Sequence, residues 1–160
     1  MKHHFRNIVL IGMAGAGKST VGPLLARRTG FTFLDTDDLI ARRQGRSLQE
    51  TLDLLGPAAF SRLEESVLLS LDLREHVIAT GGSAVYCPAG MAHLRTTAIV
   101  VLLEAGLDVL RKRVRDTADR GLVNPGGTSF AALYRERLPL YRHYADLTVA
   151  TSGATPEETC

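Results

Sequence analysis

The chain has 160 residues, 45% hydrophobic and 22% charged, with a formal net charge of +2. That length predicts a single domain spanning 1–160, and that composition supports a buried core. So small and dispersed a positive charge argues against a nucleic-acid partner, and no apolar run approaches the roughly 18 residues of a membrane span. Two cysteines, Cys87 and Cys160, make no disulfide framework and are expected as free thiols in a reducing cytoplasm. The first ten residues lack the apolar stretch and cleavage site of a secretory leader.

The first predicted element is an apolar, β-branched run over 8–11, read as a buried strand. It leads into Gly12-Met13-Ala14-Gly15-Ala16-Gly17-Lys18-Ser19, which satisfies G-x-x-x-x-G-K-[ST] at every fixed position. The glycines let backbone N–H groups converge into an anion nest, and the helix that follows adds free N–H groups and its positive end. Lys18 is then placed for β- and γ-phosphates and Ser19 for Mg²⁺. A glycine-rich turn with an incidental lysine is the plain alternative. Lysine is scarce, however, at positions 2, 18 and 112 only, and a lysine here in an arginine-preferring chain suits a compact phosphate-binding charge.

A helix is predicted over 19–28, with Pro23 in its early turns and Gly30 ending it. A short strand over 31–34 delivers Asp35-Thr36-Asp37-Asp38 at its C-terminal end, the edge at which open α/β sheets bind ligands. Asp35 and Asp37, two apart on an extended segment, can support Mg²⁺ and accept a hydroxyl proton. Helix capping and solvent exposure explain them equally well, and Asp37 or Asp38 is the expected cap of a helix running to 43. Gly45 breaks that helix. Ser47 with Glu50 forms a capping box for another, which ends before Gly56-Pro57.

A long amphipathic helix is expected over 57–73. A strand over 76–80 then runs into Gly81-Gly82-Ser83, which either brings N–H groups close to a ligand or simply turns the chain. A helix over 88–94 and the most continuous apolar run, 98–103, follow; the run reads as a central strand. Next come a helix over 108–115 and a polar, glycine-rich segment over 116–127 long enough to be a mobile lid. Arg120 lies in it, where it can swing onto phosphates. The final elements are a helix over 129–144 interrupted by Pro139, a strand over 146–150, and a helix start at Thr155-Pro156-Glu157-Glu158. Alternating strands and helices predict an α/β fold with a mainly parallel sheet, in an order the pattern does not give.

The phosphate loop narrows the function to three classes. A GTPase needs Asn-Lys-x-Asp, which lysines at 2, 18 and 112 exclude. A motor ATPase needs an acid after an apolar strand, and the strand over 77–79 ends in Thr80-Gly81-Gly82-Ser83. A small-molecule kinase remains, with its need for metal ligands, a base, cations and a lid. Arg135 and Arg137, just before Leu138-Pro139-Leu140-Tyr141, suit two-point binding of a carboxylate.

Together these pieces resemble the shikimate kinase family. The resemblance runs along nearly the whole chain, through the loop from Gly12 to Gly22, Asp35-Thr36-Asp37, Phe60 with Glu64, Ile78-Ala79-Thr80-Gly81-Gly82, Arg120, and Arg137-Leu138-Pro139-Leu140-Tyr141 followed by Ala145-Asp146. It implies a three-layer P-loop fold with a five-stranded parallel sheet, like that of nucleoside monophosphate kinases, with a mobile lid about 116–127 and a substrate-binding region about 35–64. It also implies ATP, Mg²⁺ and phosphoryl transfer to a ring hydroxyl of shikimate by a cytoplasmic, monomeric enzyme. On matching positions it makes Lys18, Asp37 and Arg120 catalytic. Gly12, Gly15, Ala16, Gly17, Lys18, Ser19, Thr20, Arg113 and Arg120 bind the nucleotide, with Arg113 near the adenine. Ser19 and Asp35 serve the metal, and Asp37, Gly81, Gly82 and Arg137 bind the acceptor.

Three departures stand out. The family has an arginine, its second carboxylate clamp, where this chain has Ser61; Arg62 is the neighbouring candidate, although one helical step rotates a side chain by about 100°. Ser83 replaces a third glycine, and Gly121 replaces a proline after Arg120. A lost charge-assisted bond to a carboxylate costs about 1.5–3 kcal/mol, roughly 10- to 100-fold in affinity. A relative acting on homoserine or gluconate is therefore the alternative, discriminated by which of Glu64, Asp37 and Asp38 faces the acceptor. A non-catalytic nucleotide-binding protein is a more distant one.

Overall fold

A computed structural model describes residues 6–116 and 128–160. Five strands, β1 (Asn7–Ile11), β2 (Thr32–Asp35), β3 (His76–Ala79), β4 (Ala98–Glu104) and β5 (Leu147–Ala150), form one sheet in the order β2-β3-β1-β4-β5. Every pairing is parallel. Val9, Leu10 and Ile11 are successive residues, so they point to opposite faces, yet all three are at most 1% exposed. Both faces of the central strand are therefore covered, and the architecture has three layers.

Eight helices occur among the described residues: α1 (Lys18–Thr29), α2 (Thr36–Gln44), α3 (Leu48–Leu55), α4 (Pro57–Leu69), α5 (Pro88–Arg95), α6 (Leu107–Asp116), α7 (Phe130–Tyr144) and α8 (Pro156–Thr159). None is long and apolar enough to cross a membrane. Close packing of α1 depends on Gly22, where a Cβ would overlap the ring of Phe33 on β2. Both expected capping boxes are present, Ser47 with Glu50 on α3 and Thr155 with Glu158 on α8. The cysteines are free.

Several local expectations differ from what forms. The cap of α2 is Asp35, not Asp37 or Asp38; its carboxylate accepts from the N–H groups of Asp37 and Asp38 at 2.9 and 3.4 Å. Asp37 therefore sits in the first turn of a helix and does not share an extended segment with Asp35. The helix expected to reach residue 73 stops at Leu69, where the Ser70 hydroxyl turns back onto the carbonyl of Val67. Pro139 does not interrupt α7. It lies on an exposed position, as does Arg135, whose carbonyl loses its helical donor, so water can supply the missing bond. Arg120 and all but the first residue of the predicted lid lie outside the described residues.

Candidate active site at the sheet's C-terminal edge

β1 is hydrogen-bonded to strands on both sides and ends at Ile11, where the chain must leave the sheet toward α1. Three glycines make that exit possible, with φ of 145° at Gly12, 83° at Gly15 and 105° at Gly17. These are values that side-chain-bearing residues rarely adopt. Gly12 also lacks room, since a Cβ there would sit 2.5 Å from the carbonyl oxygen of Leu103 on β4. The loop is fastened from outside as well. Arg113 on α6 donates to the carbonyls of Gly15 (3.2 Å) and Thr151 (2.7 Å), and the Thr151 hydroxyl donates to that of Ala16 (3.2 Å).

A cavity of about 470 Å³ opens over this loop, lined by residues 14–21 together with Asp35, Asp37, Gly82, Arg113 and Thr151. α8 contributes Pro156 and Thr159 to its wall. Lys18 reaches back across the loop to the carbonyls of Gly12 (2.6 Å) and Met13 (2.9 Å). Burial of its ammonium lowers its pKa to about 8, against the opposing pull of Asp37 and Asp35. The Ser19 hydroxyl donates to Asp35 Oδ2 at 3.2 Å. A hydroxyl and a carboxylate oxygen side by side at a phosphate nest are a hard-oxygen pair that fits Mg²⁺, which takes one or two protein ligands and completes its shell from phosphates and water.

A second cavity, of about 190 Å³, adjoins it through Gly82, Arg137 and Glu64 and is lined by Leu52, Pro57, Phe60, Ser61, Glu64, Ser83, Tyr86 and Arg137. Gly81 separates two carboxyls, since a Cβ there would lie 2.5 Å from Asp37 Oδ1 and 3.0 Å from Glu64 Oε1. Both pKa values are raised. Desolvation comes first in both cases, taking Asp37 to about 6 with help from the Asp35 charge and Glu64 to about 7 with help from that of Asp37. Ser83 donates to Glu64 Oε2 at 2.7 Å. Glu64 Oε1 has no partner among the described residues.

Arg137, 5% exposed, leaves Nε and Nη2 buried without partners among the described residues. Those two nitrogens form one edge of the guanidinium, the side-on fork that receives both oxygens of a carboxylate. Its Nη1 lies 3.0 Å from where a Gly82 Cβ would be, and the Tyr141 hydroxyl donates to the Gly82 carbonyl at 2.7 Å.

The fold thus gathers Lys18, Ser19, Asp35, Asp37, Gly81, Gly82, Arg113 and Arg137 at one edge of the sheet. It does not bring Arg62 there. Arg62 is exposed and absent from both linings, because Ser61 takes the inward position of α4 and the next residue turns away. Asp38 is exposed also; Glu64 lines the second cavity and Asp37 the first, both of them beside Gly81. Sequence reasoning missed Tyr86 and Thr151. Tyr86 carried no motif, and Thr151 signals itself only by lying one residue beyond the last strand.

Comparison with known proteins gives a consistent result. A profile described as "Shikimate kinase" matches residues 14–160. The shikimate kinase of Thiobacillus denitrificans is 42% identical over 149 residues, covering 91% of this chain and 81% of that protein. The structure of the Acinetobacter baumannii shikimate kinase in complex with shikimate superposes with a TM-score of 0.87 at 32% identity, covering 97% of this chain and 88% of that one. A gluconokinase from Sinorhizobium meliloti shares the fold alone, with a TM-score of 0.60 at 18% identity over 99% of this chain and 89% of the other.

Proposed function

The chain belongs to the shikimate kinase family, and from that premise we propose that it transfers the γ-phosphoryl group of ATP, with Mg²⁺, to a ring hydroxyl of shikimate. It is a small-molecule kinase, a phosphotransferase acting on a hydroxyl. The observation that carries the acceptor reading is the free edge of Arg137. A buried guanidinium with two adjacent unpartnered nitrogens, opening on a cavity beside Asp37, calls for a small carboxylate.

The division of labour follows from position. The glycine loop and the N-terminus of α1 receive the phosphates, with Lys18 as the charge and Thr20 in the same first turn. Ser19 and Asp35 would hold Mg²⁺, which supplies charge neutralisation at the phosphates when bound. Arg113 lines the nucleotide cavity beside Gly15 and Thr151 and suits the adenine end. Asp37 takes the proton of the attacking hydroxyl, and its pKa of about 6 suits a base that is ionised at neutral pH yet able to accept. Gly81 and Gly82 admit the acceptor closely, Arg137 holds its carboxylate, and Arg120 serves the transferring phosphate. The reading treats 1–160 as one catalytic domain acting as a monomer in the cytoplasm, with a substrate-binding region about 35–64 and a lid about 116–127.

Coupled ADP release with Mg-ATP tests the acceptor against shikimate, homoserine and gluconate. Turnover of shikimate at submillimolar concentration is the expected result. Turnover of another acid in its place would mean that Ser61 and Ser83 have re-specified the pocket.

A further inference from the structure

Among the described residues the acceptor cavity is lined by one guanidinium, and its free edge must be aimed by contacts elsewhere. Hydrogen bonds from the described residues do not fix that edge, because Nε and Nη2 have no partner among them. The rest of the group has the Gly82 backbone beside Nη1, the Tyr141 hydroxyl close by, and the ring of Tyr86, whose centroid lies 5.3 Å from Arg137 Cζ. Tyr86 ends a short 3₁₀ turn, Ala84–Tyr86, and is 36% exposed although it lines the cavity. Its hydroxyl donates to Glu136 Oε1, on the residue just before Arg137 in α7. Tyr86 is thus tied at its far end to the helix whose arginine it covers.

We propose that Tyr86 is a positioning residue for the acceptor: its ring, anchored through Glu136, lies against the guanidinium of Arg137 and holds the Nε/Nη2 edge toward the cavity. A side-on pair of hydrogen bonds needs the guanidinium and the carboxylate to be coplanar, so rotation of the guanidinium out of that plane loses one of the two. Ser61, in the same lining, supplies no second charge to correct a misaligned first one. The orientation of one fork then decides how well any carboxylate is held, and Tyr86 sets it. This inference deepens the acceptor reading and rests on it.

Two measurements on the full chain test it. The first is the arginine Nε–H region of a ¹⁵N-correlated NMR spectrum, with the Arg137 peak assigned by its loss in Arg137→Lys. In the wild type the ring over the guanidinium displaces this peak; in Tyr86→Leu it moves toward the exposed-arginine position and broadens, while Tyr86→Phe keeps the displacement. The second is kinetic. Tyr86→Leu should raise the acceptor KM by roughly tenfold, with kcat and the KM for ATP within about twofold of the wild type. Tyr86→Phe and Glu136→Gln should each give a smaller rise, and the double variant no more than the larger single one. If Tyr86→Leu does not fold, the last two variants decide. An unmoved Arg137 peak, or KM values for ATP and acceptor that change together, overturns the inference. A wild type that turns over no shikimate overturns the acceptor reading instead, and the NMR peak alone then decides the role of Tyr86.

Discussion

The two cavities that meet at Gly82 are built on opposite plans. Around the phosphate loop, polar groups are answered within the protein: Lys18 by the carbonyls of Gly12 and Met13, Arg113 by those of Gly15 and Thr151, and Ser19 by Asp35. Around the acceptor cavity, three buried side-chain atoms, on Glu64 and Arg137, are left unanswered. The first plan makes the protein itself hold the geometry before any ligand arrives. The second leaves hydrogen-bonding capacity for the ligand, at a standing cost in stability. The fixed positions of the phosphate loop are all filled as its motif requires, and Ser61 and Ser83 fall in the lining of the acceptor cavity.

The largest effect should come from the residue between the two plans. Asp37→Asn should lower kcat by about 10²- to 10⁴-fold, the usual worth of a positioned base, while leaving ATP affinity near the wild-type value. In the wild type, kcat/KM should fall below about pH 6 as Asp37 is protonated and above about pH 8 as Lys18 loses its charge. In Asp37→Asn the acidic limb should be gone from whatever activity remains. An acidic limb that survives the substitution would assign it to another group.

A smaller effect, of opposite sign in two assays, separates stability from binding. Arg137→Met removes a buried guanidinium with an empty edge, so it should raise the melting temperature of the ligand-free protein. The same change should raise the acceptor KM by roughly 10- to 100-fold, the worth of a charge-assisted pair. A lower melting temperature would mean that the acceptor side is satisfied internally after all, and the contrast between the cavities would weaken.

The smallest effect is a slope. Glu64 holds its proton to about pH 7 in the folded chain but to its ordinary value of 4.5 once unfolded. The folded state then binds more protons between those values, and stability must fall as pH rises through that window. Glu64→Gln can still accept from Ser83 and should flatten the slope between pH 4.5 and 7, read as melting temperature against pH. An unchanged slope would place the loss on Asp37 alone.

The same division explains what the amino-acid sequence discloses. A phosphate loop is specified by positions where only glycine reaches φ near +100°, so its letters are nearly its geometry. Capping boxes at Ser47 and Thr155 are equally local and form as read. The acceptor cavity joins α4, the segment after β3 and α7, and its lining depends on how those pieces pack. Whether residue 61 or 62 of α4 faces inward is decided by the pitch of a helix against neighbours distant in the chain. Tyr86 becomes meaningful only when α7 delivers Arg137 and Glu136 to it, some fifty residues later. The sheet order is likewise absent from strand patterns, because each strand here is apolar enough to suit several places.

Thr151 carries a consequence for how the protein comes into being. Its hydroxyl reaches a carbonyl of the phosphate loop 135 residues earlier in the chain, and its own carbonyl receives Arg113. On the ribosome the loop emerges 135 residues ahead of its fastening. A growing chain therefore carries the nucleotide signature long before it carries a fastened nucleotide site, and tight ATP binding reports that the last strand has been made and docked.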